Sequence, residues 1–180
     1  MVKLKKQKRE IYLCGEITKY SAKLVKKALR ELDKISDETI LFYITGDGGR
    51  AEPALEIHHA LHNAKSTVNT VAHGHVYSAA LLILEGGDRK FATPNCKFGF
   101  HQTFAEFKKD SELNAIQLTN IAHKILLQDA TQIYILTSGG RDTNKIVELF
   151  SSNATIDSKK ALKLKIIDGL WRKPIHKPRR

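Results

Sequence analysis

Cysteine is scarce in this chain. Cys14 and Cys96 are the only two among 180 residues; they match no metal-ligand spacing and sit in no cysteine-rich frame of the kind that staples small secreted folds. Both read as buried small hydrophobes. Long apolar runs are missing too: nothing approaches the eighteen or so residues that a membrane-spanning helix needs, and the opening "MVKLKKQKRE" is charged with no apolar segment behind it. A membrane protein is excluded on that pattern, and a cytoplasmic location is expected. Acidic residues are absent from residues 1–9, which hold Lys3, Lys5, Lys6, Lys8 and Arg9. Arg172, Lys173, Lys177, Arg179 and Arg180 close the chain, so of a formal charge of +11 the body between the two ends carries only +1. Basic ends without interleaved aromatics read as solvated tails with weak, salt-sensitive attraction to polyanions, and no specific nucleic-acid binding is expected. With 42% hydrophobic residues the chain can build one domain with a real core, here residues 10–171 between tails 1–9 and 172–180.

The order of elements follows from periodicity. "EIYLCG" (10–15) suits a strand. In "YSAKLVKKALRELDKI", Leu24, Val25, Ala28, Leu29, Leu32 and Ile35 fall on one helical face. "TILFYITG" is a β-branched and aromatic strand that runs into the turn "GDGG" (46–49). "AEPALEIHHALHNA" is helical again, "STVNTVAHG" strand-like, and Ser78 opens the next helix. Strand-like pieces around Phe91 and around Phe98–Phe100 flank Pro94-Asn95; residues 111–137 form a long helix, "DTNKIVELF" a short one, and "IDSKKALKLKIID" a last helix running into a final strand. This alternation predicts an α/β layered domain with mainly parallel strands.

The stretch "GHVYSAALLILEGG" (74–87) places Ser78 between a glycine-led turn and a small, apolar helical run. Two readings fit. Serine is a good helix N-cap; a serine at a strand-to-helix turn is also exposed at the positive end of a helix dipole, where backbone N–H groups can hold an oxyanion. A nucleophilic hydroxyl needs a base and a second oxyanion donor. "FGFHQ" supplies His101, an imidazole of the kind that serves as a general base, and "GDGG" supplies glycines whose amides a ligand can approach unobstructed.

Five stretches in order, "IYLCGEIT", "LFYITGDGG", "GHVYSAALLILEGG", "KFATPNCKFGFHQ" and "TIDSKKALKLKIIDGL", together resemble the ClpP family, the serine peptidase subunits of energy-dependent proteolytic machines. The resemblance runs from about Glu10 to Leu170. It implies a crotonase-like α/β spiral with a protruding handle helix, assembled into stacked heptameric rings around an enclosed chamber. Carried over position by position, Ser78 is the nucleophile, His101 the general base, and Gly49 and Ala79 the oxyanion hole. The triad acid falls on Asn153. An amide can orient an imidazole but cannot neutralise the imidazolium formed during acylation, so weak, assembly-dependent or partner-tuned activity is expected. Asp157, the nearest other acid, reads as a helix N-cap, and Asp168 belongs to the last strand-turn.

Further departures bear on partners. The family's pore-lining N-terminal segment is replaced by "MVKLKKQKR", which weakens the expectation of docking to a standard AAA+ unfoldase and leaves a paralogous subunit as another candidate partner. Asp47 lies beside the expected oxyanion hole, where the family usually has serine-proline, and reads as a solvent-facing turn residue. His58 and His62 have helical metal-ligand spacing but no third ligand, so they, His59, His73, His75, His123 and His176 read as surface or packing histidines. No metal and no cofactor are expected. Phe104, Phe107 and the long helix after them resemble the ring-to-ring handle, and a half-apolar helix of that length calls for a partner surface. Peptide and protein substrates and self-assembly are therefore the expected partners. Two rival readings are an inactive structural ring subunit, favoured by Asn153, and a crotonase-type enzyme acting on acyl-CoA, which has no use for a Ser-His pair here.

Overall fold

The computed structural model describes residues 1–107, 110 and 112–175. Strands and helices alternate as β1 (Val2–Lys5), β2 (Glu10–Cys14), α1 (Lys19–Asp33), β3 (Ile40–Gly46), α2 (Ala51–His62), β4 (Val68–Tyr77), α3 (Ala80–Glu85), β5 (Arg89–Ala92), β6 (Lys97–Gly99), α4 (Ala115–Thr137), α5 (Thr143–Ser151), β7 (Thr155–Asp157), α6 (Ser158–Lys163) and β8 (Gly169–Leu170). The sheet runs β1-β2-β3-β4-β5-β8, parallel from β2 onward, with β1 antiparallel on the edge. Strand β4 is long enough to serve two neighbours. Its first half pairs with β5 and its last three residues, His75–Tyr77, pair with β6, which carries β7 antiparallel on its far side. That split sends the chain after β5 to a second level, where the candidate base is delivered.

Side chains along the central strands alternate faces, as the period of two requires. Ile11, Leu13, Phe42 and Ile44 join Val25, Leu29, Leu32, Ile57, Leu61 and Leu82 from α1, α2 and α3 in the main core. Tyr12, Tyr43 and Val71 point to the other face, where Phe91 and Trp171 pack against them; the Tyr12 and Tyr43 rings stack 4.7 Å apart. Helix α1 starts on a capping box in which Thr18 and Ser21 exchange side-chain and backbone bonds. It ends at Asp33, so Ile35 lies past it and is exposed rather than on the buried face. The long helix begins only at Ala115, capped by Asn114 and Gln117. Leu113 therefore precedes it, and Ser111 is outside the described residues. Only its C-terminal part joins the core, through Leu136 with Ile133 and Ile135 beside it, whereas further up the helix Ile116 is 73% and Leu126 65% exposed.

The expected basic tail 1–9 is corrected. Residues 2–5 are strand β1, Lys6–Lys8 a 3-10 turn, and Arg9 a buried joint. The Arg9 guanidinium donates to the carbonyls of Leu32, Ser36 and Glu38 at 3.0 Å and to Ser66 Oγ at 2.8 Å. It thereby satisfies carbonyls at the C-terminal end of α1, where helices leave acceptors unpaired. Ser66 Oγ donates onward to Asp33 at 2.7 Å. Desolvation alone would raise the Asp33 carboxyl, but bonds from the Ser66 hydroxyl and amide and from the Lys65 amide outweigh it and hold the group below the usual carboxylate range. Alternation and charge could not reveal this joint, because one arginine among four lysines looks like all the others. Arg9→Ala is expected to cost about 3 kcal/mol of unfolding free energy, since it leaves buried carbonyls unpaired; a lower urea midpoint at unchanged slope would report it. A midpoint at the wild-type value would show that the Arg9 side chain does not hold the end of α1.

At the other end, Ile175 packs on the Tyr12–Tyr43 cluster, so the expected tail 172–180 is not wholly solvated; His176, Lys177, Arg179 and Arg180 lie outside the described residues. Among the described residues, no helix is long and apolar enough to cross a membrane. Cys96 is buried as expected, whereas Cys14 is half-buried.

Candidate active site

Ser78 stands in the two-step turn between β4 and α3 with φ +53°, a left-handed conformation that a residue with a side chain adopts at a cost of about 1–3 kcal/mol. The capping reading fails on geometry. The N-cap of α3 is Ala79, no side chain caps the helix, and the Ser78 carbonyl accepts from the Leu81 amide at 2.9 Å while its hydroxyl is left free of the helix. Backbone bonds fix the turn instead: Ser78 N–H donates to Gly99 O of β6 at 2.9 Å. The strand that leads to the candidate base thus also pins the candidate nucleophile.

The turn after β3 closes on Ser78 from the other side. A Cβ at Gly48 would lie 2.8 Å from Tyr77 O and 2.9 Å from Ser78 Cβ, so only glycine allows this approach. At Gly49, φ is +140° and a Cβ would meet Ile17 O at 2.5 Å. Ile17 N–H donates to Gly48 O at 2.8 Å and Arg50 N–H to Ile17 O at 3.1 Å, holding the turn flat against the chain after β2. Between these two bonds the Gly49 amide has no hydrogen-bond acceptor among the described residues, and neither has the Ala79 amide at the start of α3. Two bare N–H groups beside one hydroxyl are what an oxyanion hole requires.

His101 lies two residues beyond β6 rather than at its end. Its Nδ1 is 2.9 Å from Gln102 O. A carbonyl can only accept, so Nδ1 carries a proton, and in the neutral imidazole the lone pair is on Nε2. Ser78, Ala79, Gly49 and His101 line one cavity of about 410 Å³, together with Thr103, Phe104, Lys124, Gln128 and Gln132. A more apolar pocket of about 290 Å³, built on Leu55, Leu82 and Leu127, adjoins it and shares Ala51, Glu52, Lys124, Gln128 and Gln132. Among the described residues no hydrogen bond joins Ser78 Oγ to His101.

Asn153 is exposed and left-handed, φ +49°. Antiparallel β6–β7 pairing sets Gly99 against Thr155, and Phe100 N–H donates to Ala154 O at 2.8 Å, so Asn153 and His101 each lie one residue beyond that bonded pair. It does not line the cavity, and among the described residues it makes no hydrogen bond to His101. Asp157 is committed elsewhere: its Oδ1 accepts from the Lys160 amide at 2.8 Å as the N-cap of α6, and backbone bonds there hold its carboxyl below the usual range. Asp168 accepts from the Lys90 amide at 2.7 Å. Asp47 is 89% exposed and reaches His75 Nε2 at 3.1 Å, away from the hole. His58 Nδ1 meets Leu82 O at 2.8 Å on a packing face, where burial lowers its basicity. Among the described residues, no three His, Cys, Asp or Glu side chains are grouped to hold a metal.

The family model described as Clp protease matches residues 1–174. The chain belongs to the Clp protease family. Relatives named ATP-dependent Clp protease proteolytic subunit 2 include that of Treponema denticola, 28% identical over 90% of this chain and 81% of its own length. The one from Borreliella burgdorferi is 30% identical over 85% and 81%. A solved structure of an asparagine-to-aspartate mutant of ClpP1 from Listeria monocytogenes superposes with a TM-score of 0.81, at 22% identity and 93% coverage of both chains. The fold is therefore the ClpP α/β fold, and the serine-peptidase class expected from the five motifs stands with the family.

Proposed function

We propose that the chain is a Clp-type serine endopeptidase subunit that cuts extended peptides through an acyl-enzyme on Ser78. The observation that carries this reading is the pair of unpartnered amides, Gly49 and Ala79, flanking a hydroxyl held in a strained turn within one cavity with His101. Ser78 Oγ attacks the scissile carbonyl as His101 Nε2 takes its proton; the two amides hold the oxyanion; His101 returns the proton to the leaving amine, and water repeats the sequence to release the acid. The apolar pocket on Leu55, Leu82 and Leu127 suits an aliphatic side chain next to the cut bond. Ile116, Leu118, Leu126, Leu127 and Tyr134 are exposed apolar side chains of α4 and, with Phe104 and Phe107, are surface that stacked rings of copies would cover. Docking of an unfoldase belongs to the same proposal. Labelling of the assembled protein by a fluorophosphonate probe, with the adduct located by mass spectrometry, tests it: an adduct on Ser78 is expected, and an unlabelled assembly would favour a structural subunit.

In this reading Asn153 borders His101 when substrate or a partner copy closes the site, while Gln102 O keeps the Nδ1 bond. Asn153→Asp is then expected to raise kcat about ten-fold, because a carboxylate neutralises the imidazolium that an amide leaves bare. Steady-state hydrolysis of a fluorogenic peptide measures it; unchanged turnover would place residue 153 outside the catalytic group.

A further inference from the structure

The peptide group between Gln102 and Thr103 is bonded at both ends. Its carbonyl accepts from His101 Nδ1 at 2.9 Å, and its N–H donates to Asp129 Oδ1 at 2.8 Å. Gln132 Nε2, one turn further along α4, donates to Thr103 Oγ1 at 3.2 Å and holds the same segment against the helix. We propose that Asp129 is a positioning residue that acts on His101 through this peptide group, supplying at one remove the negative charge that Asn153 lacks. The inference rests on the peptidase reading of Ser78 and His101.

Carbonyl and amide of one peptide unit share a resonance system. An anion on the N–H side draws electron density toward the carbonyl oxygen, and hydrogen bonds in such a chain strengthen one another. A stronger acceptor at Gln102 O keeps the proton on Nδ1, so that Nε2 stays basic, and favours the imidazolium once it has taken the serine proton. The charge-assisted bond from Thr103 N–H also fixes the loop that carries the acceptor. No proton leaves Asp129 or the peptide group in any step. Because Asp129 sits on α4, which carries exposed apolar side chains in the single chain, covering that helix in an assembly would steady the same relay.

The test compares wild type with Asp129→Asn, an isosteric change that keeps an oxygen acceptor and removes the charge, and with Asp129→Ala. Particle size and circular dichroism confirm assembly. Asp129→Asn is expected to lower kcat for peptide hydrolysis about ten-fold with KM unchanged, less than the loss that follows direct removal of a triad charge. Independently, ¹⁵N-histidine NMR is expected to show the Nδ1-protonated tautomer of His101 in wild type and a mixture in Asp129→Asn. Wild-type turnover and wild-type ring shifts in Asp129→Asn would overturn the proposal even if the alanine variant failed to fold. Should wild type itself take no fluorophosphonate on Ser78, the peptidase reading falls, while the ring shifts still decide whether Asp129 controls His101.

Discussion

Ser78→Ala is expected to abolish peptide hydrolysis, by a factor of about 10⁵ or more, without lowering stability. Removing the nucleophile of a serine triad costs on that scale because the other members act only through it. The fold has little reason to object. The Ser78 hydroxyl makes no hydrogen bond among the described residues, and the turn is held by the backbone bonds Ser78 N–H to Gly99 O and Leu81 N–H to Ser78 O, which alanine keeps. The left-handed φ of +53° costs alanine about as much as serine. An unchanged melting temperature with lost turnover and lost probe labelling is the predicted pair; residual hydrolysis within ten-fold of wild type would move the chemistry to another residue.

Gly49→Ala carries the second-largest effect, and it strikes both fold and function. A methyl group there would meet Ile17 O at 2.5 Å and Ile17 N at 2.7 Å, both backbone atoms that cannot swing aside, and φ of +140° lies where side chains are strained. Relief requires the turn to lift from the chain after β2, which rotates the Gly49 amide away from Ser78. Loss of one oxyanion donor reduces kcat by about 10²–10³, and the clash adds a stability loss of about 2 kcal/mol or more. Steady-state kinetics alongside thermal unfolding measure both. A stable variant with normal kcat would show that Gly49 only shapes the turn and that the oxyanion is held elsewhere.

Much of this site was legible from residues alone, and the reason is local. The strand-turn-helix around Ser78 and the glycine turn after β3 are encoded in short stretches, as are the helices whose apolar residues recur on one face; Asp157 as the cap of α6 follows from its place before "SKKAL". What escaped was set by contacts between distant segments. Strand β1 and the Arg9 joint depend on a pairing with β2 and on carbonyls of α1, none of which leaves a trace in the charge pattern of residues 1–9. Strand β7, three residues long, exists because β6 offers it an edge. The free hydroxyl of Ser78 was decided by the cap falling one residue later, on Ala79. Asp129 lies 28 positions past His101 within an ordinary helical pattern, and only the fold of residues 101–107 against α4 brings it to the Gln102–Thr103 peptide.

Asn153 shows the same division from the other side. Motif order points to it, and it lies one residue beyond the bonded Phe100–Ala154 pair as His101 does, yet among the described residues no hydrogen bond joins the two. Burial pushes the Glu85 carboxyl up to about 7 against the opposing pull of Arg141, whose guanidinium lies 3.0 Å away; the pair is a further long-range arrangement, tying the end of α3 to the loop before α5.

The central claim is convergence: one hydroxyl, one imidazole and two bare amides meeting in one cavity. A peptidyl chloromethyl ketone with an aliphatic residue at its reactive end tests it most directly, because Ser78 Oγ adds to the ketone carbon while His101 Nε2 displaces chloride from the adjacent methylene, a pair of steps that requires hydroxyl, imidazole and oxyanion donors to converge on one small group. Mass spectrometry of digested, assembled protein is predicted to find one inhibitor alkylating His101 with loss of chloride, the hemiketal to Ser78 having reverted on unfolding, and no alkylation of His101 in Ser78→Ala. Modification of His101 at an equal rate in Ser78→Ala, or an inhibitor attached anywhere else, would contradict it.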